Sequence, residues 1–274
     1  MNLQTKQDTL RNIFQELDSF AVAFSGGVDS TFLLKTAHDL LGDRVLAVTV
    51  RSGLVPKREI DESTQFVQNE GIEQVIVDVD ERNIAGFSQN PPNRCYLCKI
   101  ALFSQIQHIV AERGISHIIE GSNADDVHDY RPGTRAIKEL GIRCPLQEAE
   151  LTKQEIRQLS RDMGLPTWNK PSLACLASRF PYGEEITRER VSMVEEAEHY
   201  LWNAGFGQVR VRFHGGLARI ETDEEGFNRL LSEGLRKEID CRFREIGFKY
   251  VSVDLQGYRT GSLNETLAQC REFV

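Results

Sequence analysis

The sequence predicts an α/β protein: a doubly wound parallel sheet over residues 1–170, then a smaller α+β domain over residues 171–274. Three observations carry that expectation. Short apolar runs alternate with helical stretches from Phe20 to Glu120, the rhythm of a parallel sheet covered on both faces. The runs at 20–24 and 116–120 each lead straight into a polar segment containing glycine, as at the carboxyl edge of such a sheet. Beyond Pro171 the pattern changes to a long helix, a Gly215-Gly216 hairpin signal and a last strand.

Taken in order, residues 1–18 read as an amphipathic helix with Leu10, Ile13, Phe14 and Leu17 on one face. Phe20 to Phe24 is a buried strand, and a helix opens at Thr31. After the turn at Gly42-Asp43 come a strand over 44–50, a helix from Pro56 to Glu70 ended by Gly71, and a strand over 74–79. Residues 80–94 are loop-rich and close on the breaker Asn90-Pro91-Pro92-Asn93. A helix from Tyr96 to Arg113 then precedes the strand over 116–120. Thr152-Lys153-Gln154-Glu155 is a capping box for a helix that Gly164-Leu165-Pro166 stops; it reads as structural, without chemistry. Residues 167–185 form an irregular loop whose Trp168, Phe180 and Tyr182 point to function rather than disorder. The second domain reads as a helix over 187–204, strands over 208–214 and 217–221, a helical stretch over 223–245 and a strand over 248–255.

A length of 274 residues gives mass for a real core in one large or two modest domains. The start, Met1 to Asp8, has no apolar h-region, and no apolar run reaches the length of a membrane span. Six cysteines form no disulfide framework, so a reduced, cytoplasmic setting with no membrane partner is expected. A net charge of −8 argues against a nucleic-acid partner, which needs a basic face.

The chemistry begins at Ser25-Gly26-Gly27-Val28-Asp29-Ser30, between strand and helix. Two glycines let backbone approach a ligand, and the helix start offers free N–H groups and a positive dipole end to an anion. The spacing is not that of the Walker-type loop. It resembles the PP-loop of the N-type ATP pyrophosphatases, which split ATP between the α and β phosphates and hold the pyrophosphate here. On that resemblance ATP meets Ala23, Ser25, Gly26, Gly27, Asp29 and Ser30, with Val50 and Arg51 placed by topology beside the adenine. Gly121, Asn123 and Asp125 follow the last strand of the sheet, and Asp29, Asp125 and Asp126 suit Mg²⁺ shared with phosphate. Either Asp125 or Asp126 could instead merely cap a turn.

In the second half, Arg210, Arg212 and His214 alternate onto one strand face, with Arg219 on the partner strand. Forked guanidiniums fit phosphate, or else they pair with Glu195, Glu198 or Glu221. Cys175 sits in a loop between Lys170 and Arg179, basic company for a thiolate nucleophile, although a free cysteine taken by itself is more often a small buried hydrophobe. Cys95-Tyr96-Leu97-Cys98 could be redox-active or half a zinc site, but no second pair completes it.

Together, Asn93-Arg94-Cys95-Tyr96-x-Cys98-Lys99, Gly121-x-Asn123-x-Asp125-Asp126 with Tyr130-Arg131-Pro132-Gly133, Ala174-Cys175-Leu176-x-Ser178-Arg179 and Val209-Arg210-Val211-Arg212 closely resemble the LarE-type sulfur transferases of nickel-pincer nucleotide biosynthesis. The resemblance spans essentially the whole chain. It implies adenylation, with MgATP, of a carboxylate of pyridinium-3,5-biscarboxylic acid mononucleotide. A cysteine matching Cys175 then displaces AMP and gives up its sulfur, becoming dehydroalanine. It also implies a substrate phosphate on Arg210 and Arg212, with Glu221 close by; Ser178, Arg179 and Glu198 around the sulfur, Glu198 as a candidate base; a homo-oligomer, hexameric where characterised; and transient contact with other proteins that build or load the cofactor. Cys175 is the sole cysteine between 145 and 240, which favours the sacrificial form over relatives with an iron–sulfur cluster. Three other readings stand beside this one: an amidating PP-loop synthetase, a tRNA-thiolation enzyme, and a nucleotide-sensing module to which Cys175 would be indifferent.

Overall fold

The computed structural model describes residues 1–128, 132–171, 174–259 and 261–264. Tyr130 and Arg131, Ser172 and Leu173, and Cys270 lie outside the described residues. The chain divides into two compact units, Met1–Ala85 with Asn93–Leu173, and Gly86–Pro92 with Ala174–Val274. The sequence reading kept residues 86–92 in the first domain; their contacts place them in the second unit. The physical reason is Asn90, fully buried at φ 52°, whose side-chain amide donates to the carbonyls of Phe180 (3.2 Å) and Pro181 (2.7 Å). Backbone bonds from Gly183 to Asn90 and from Ile186 to Ser88 complete the seam.

In the first unit the order is α1 (Leu3–Leu17), β1 (Phe20–Ala23), α2 (Val28–Leu41), β2 (Val45–Ser52), α3 (Lys57–Glu70) and β3 (Gln74–Val79). There follow α4 (Arg94–Ala111), β4 (Ile118–Ile119), α5 (Pro132–Glu139), α6 (Pro145–Glu148) and α7 (Lys153–Asp162). The strands form one sheet in the order β3-β2-β1-β4, every pairing parallel. Alternation along β1 sets the two faces. Phe20 and Val22 join Leu10, Phe14, Leu33, Leu34 and Ile156 beneath α1, α2 and α7. Ala21 instead joins Phe103, Ile106, Val110 and Ile137 beneath α4 and α5. A sheet buried on both sides reads as unbroken apolar runs, which is why β1 and β2 were visible in the sequence. The strand expected over 116–120 pairs through just two residues, and α4 starts at Arg94, so Cys95 and Cys98 stand in its first turns.

In the second unit are α8 (Arg188–Asn203), β5 (Val209–His214), β6 (Leu217–Thr222), α9 (Glu224–Leu230), α10 (Glu233–Ile246) and β7 (Tyr250–Val253). Gly215 and Gly216, both at positive φ, turn β5 into β6 antiparallel, whereas β7 returns parallel to β6. A parallel return needs a crossover, here supplied by α9 and α10. The helical stretch expected over 223–245 is broken at Ser232, which starts α10. Phe180, Phe213, Phe248 and Phe243 form a chain of rings 5.5–6.0 Å apart in its core.

Leu34 is fully buried on the α2 face of the first unit. Leu34→Ala should lower stability by about 2–5 kcal/mol in urea unfolding followed by circular dichroism; a loss under about 1 kcal/mol would contradict this packing.

Candidate active site

β1 ends at the sheet's carboxyl edge, and Gly26 and Gly27 carry the chain into α2. Gly26 sits at φ 71°, where a built Cβ would lie 3.0 Å from the Ser63 Cβ on α3. Both backbone and packing therefore require glycine there. Ser30 Oγ receives Ser25 N–H at 3.3 Å and lies 3.0 Å from Ser25 Oγ, which curls the loop over the amides at the start of α2. Gly121, just after β4, lets that segment pass close: a Cβ would stand 3.1 Å from Ser30 N. These elements enclose a cleft of about 600 Å³, the size of a small-ligand site.

The cleft has an apolar end and a charged end. Phe24, Val48, Val50, Val55, Ile60 and Phe103 line the first, with Thr49 turned to donate its hydroxyl to the Phe24 carbonyl at 2.9 Å. Ala23, Ser25, Gly27, Asp29, Ser30, Gly121, Asn123, Asp125 and Asp126 line the second. Most expected nucleotide residues are thus brought together. Arg51 is not: its guanidinium is bidentate to Asp78 at 2.6 and 2.7 Å, outside the lining, and Gly26 is a hinge beside the lining. Asn123 knits the acids, its backbone N–H donating to Asp126 at 3.0 Å and its amide to Asp29 at 3.4 Å.

Magnesium takes oxygen ligands and commonly uses one or two carboxylates plus phosphate and water. Asp29, Asp125 and Asp126 offer such carboxylates at one end of the cleft. Among the described residues no group of three or more His, Cys, Asp or Glu is placed to hold a metal by itself. The donor set thus fits an ion that arrives with phosphate.

Two lysines missed by the sequence reading also line the cleft, Lys99 and Lys153. Lys153 pairs with Asp29, and its backbone N–H donates to Asp125 at 2.8 Å. Lys99 lies 3.3 Å from the partly buried Glu120. Burial raises the Glu120 pKa, but Lys99 and hydrogen bonds from Ser122 and Cys144 outweigh it and leave the carboxyl below its ordinary value. Burial and that carboxylate drive the Cys144 thiol well above the usual range. Lys99 stands in the Asn93–Lys99 block and Lys153 in the capping box, but neither was given a role, since each reaches its acid from a distant helix.

In the second unit, Cys175 is exposed at the head of a single tight turn, Leu176–Arg179. Arg179, 1% exposed, grips this turn from within. Its Nη1 donates to the carbonyls of Ala174 (2.7 Å) and Cys175 (3.2 Å) and to Ser178 Oγ (2.9 Å). Its Nε and Nη2 form a fork on Glu198, both at 2.8 Å. Glu198 Oε1 also accepts from Val211 N–H at 2.9 Å, so this carboxylate is engaged on both oxygens. Arg212 donates to the Ser178 carbonyl (2.7 Å), Glu221 (2.7 Å) and Ser262 (2.9 Å), and Arg219 takes the other Glu221 oxygen (2.9 Å). Arg210 stacks on Tyr258, with burial and then the nearby Arg179 lowering its pKa. Of the carboxylates weighed as arginine partners, Glu221 holds Arg212 and Arg219, while Glu198 holds Arg179.

Four guanidiniums here face two fully buried glutamates, with Asp254 adding a third carboxylate beside Arg219. Arg212 Nε and His214 Nε2 are buried without a hydrogen-bond partner. The cluster can therefore accept an anion.

Iodoacetamide near neutral pH should label the exposed Cys175 and Cys241 well ahead of Cys144, read by peptide mass spectrometry. Equal labelling of Cys144 would contradict the part-buried bond to Glu120.

The family described as queuosine biosynthesis protein QueC matches residues 19–90, which hold the glycine loop. The pyridinium-3,5-bisthiocarboxylic acid mononucleotide synthase of Lactiplantibacillus plantarum is 37% identical over 270 residues, 98% of this chain and 97% of that enzyme. An uncharacterised protein of Synechocystis is 43% identical over 267 residues, 97% of this chain and all of that protein. A glutamine-hydrolysing GMP synthase of Chlamydia caviae is 26% identical over 207 residues, covering 67% of this chain and 39% of that enzyme. No helix among the described residues is long and apolar enough to cross a membrane.

Proposed function

This protein belongs to the LarE-type family of PP-loop sulfur transferases, and from that premise we propose that it makes a thiocarboxylate on a pyridinium carboxylate mononucleotide, with Cys175 as the sulfur donor. A substrate carboxylate oxygen attacks the α-phosphorus of ATP, and pyrophosphate leaves. The Cys175 sulfur, its proton lost, attacks the acyl carbon, and AMP leaves as the C–O bond breaks. Loss of the Cys175 Cα proton then expels the thiocarboxylate by Cβ–S cleavage, leaving dehydroalanine. Mg²⁺ carried by Asp29 and Asp125 or Asp126 would neutralise charge on the phosphates.

One observation carries the reading: an exposed cysteine at the head of a turn that a buried arginine holds by three bonds. A small buried hydrophobe would not be presented in this way. Arg179 and Ser178 shape the turn, and the engaged Glu198 acts as the anchor of Arg179 more readily than as a proton acceptor. Arg210 and Arg212, with Glu221 fixing Arg212, offer the substrate phosphate its donors. The wider setting is a cytoplasmic homo-oligomer, hexameric like the family it resembles, contributing to a nickel-pincer nucleotide for lactate racemase. Amide formation, the second reading, draws on the GMP synthase likeness but gives Cys175 no task.

After incubation with MgATP and the biscarboxylated pyridinium mononucleotide, peptide mass spectrometry should find residue 175 lighter by one H₂S, as dehydroalanine. Cys175→Ser should still release pyrophosphate but form no thiocarboxylate. An intact thiol after stoichiometric AMP release would reject Cys175 as donor.

A further inference from the structure

His214 shares a face of β5 with Arg210 and Arg212, and the chemistry above gives it no task. It follows Arg212 two positions on along that face, at the end of the strand. Opposite it on β6 is Leu217, which offers no side-chain acceptor, whereas Arg212 lies opposite Arg219. The chain then turns at Gly215, where a built Cβ would meet nothing within 4 Å, so the strand end is uncrowded. His214 is half-buried, and its Nε2, shut away from water, has no hydrogen-bond partner among the described residues. Arg212 Nε is buried and unpartnered in the same way. Polar atoms so placed are nearly always paired, and here Glu221 is already taken by Arg212 Nη2 and by Arg219. The acceptor these two atoms call for is therefore one that a ligand supplies.

We propose that His214 completes the cradle for the substrate phosphate: its Nε2–H donates to a phosphate oxygen beside Arg212, and the ring takes up a proton as the dianion binds. The proton comes from solvent and enters at the other ring nitrogen. This rests on the reading of Arg210 and Arg212 as phosphate donors, and assigns the group that senses the charge of the phosphate.

The charges around the ring account for the proton. Arg212 faces it from its own strand, Arg219 and Glu221 from β6, and Glu184 from the segment before α8. Burial, then Arg219 and Arg212, hold its pKa below the ordinary histidine value, against the opposite pull of Glu184 and Glu221. Without an anion the imidazole is therefore neutral near pH 7. A phosphate monoester, with a second pKa of about 6, arrives mainly as a dianion. Its charge reverses the balance at the ring and favours the imidazolium, which donates from both nitrogens. Because the bound ring keeps its proton to a higher pH than the free ring, the histidine's share of the affinity is lost as pH rises through the bound-state pKa. Arginine stays charged throughout and cannot supply this dependence.

Calorimetric titration of the full chain at pH 7, in two buffers of different ionisation enthalpy, reads affinity and proton uptake together. The probes are the biscarboxylated pyridinium mononucleotide and the nucleoside left when its phosphate is removed. The wild type should take up more protons with the mononucleotide than either His214 variant does. His214→Ala should weaken mononucleotide binding by about fivefold or more and nucleoside binding by less than about twofold. His214→Gln keeps a donor near the Nε2 position, so it should recover part of the affinity but none of the proton uptake. It also carries the uptake test should the alanine variant fold poorly. Undiminished mononucleotide binding in His214→Ala, an equal loss for the nucleoside, or wild-type proton uptake in His214→Gln overturns the assignment. Wild-type protein that binds the nucleoside as tightly as the mononucleotide instead overturns the phosphate reading of the arginines.

Discussion

The structure depends on one constraint: a four-residue strand buried on both faces must end in a loop tight enough to expose amides and open enough to admit a ligand. β1 meets it with Phe20 and Val22 packed to one side, Ala21 to the other, and glycines following. Because β1 lies between β2 and β4, its end faces the Thr49–Val50 segment on one flank and Gly121–Asp126 on the other. The apolar and charged ends of the cleft follow from that strand order. Substituting Gly26 would both strain the backbone and push against α3, so the turn and the packing of the first unit are one requirement.

The second unit solves a different problem, presenting one sulfur from an otherwise irregular segment. It does so with charge buried in pairs. Breaking such a pair leaves an uncompensated ion and typically costs about 3–5 kcal/mol, so Arg179 and Glu198 are committed to one geometry. That geometry fixes the carbonyls of Ala174 and Cys175 and leaves the thiol outside. Arg212 extends the same framework to the Ser178 carbonyl and to Glu221. Of the two readings weighed from sequence, the pairing with carboxylates is the one these contacts display, in Arg212 and Arg219 on Glu221; the phosphate role is the one proposed.

What was legible in the sequence was local. The parallel α/β alternation, the glycine loop, the capping box and the Gly215-Gly216 hairpin all signal themselves within a few residues. What was not legible depends on distant partners. Lys153 reads as a surface helix residue until the fold sets it beside Asp29, 124 positions away in the chain. Lys6 looks like the polar side of an amphipathic helix, yet it is buried against Glu155. Residues 86–92 follow the first unit in sequence but belong to the second because one asparagine amide bridges to Phe180 and Pro181. Hydrophobic periodicity carries no information on such polar pairings. The break at Ser232 had a local signal, a serine suited to a helix start followed by Gly234, which the single helical stretch passed over.

The central claim is that the glycine loop holds pyrophosphate while ATP is cleaved between its α and β phosphorus atoms. Phosphorus NMR of the products after incubation with MgATP and the carboxylated mononucleotide reads this directly. AMP and pyrophosphate in equal amounts would support the account. ADP with inorganic phosphate would contradict it.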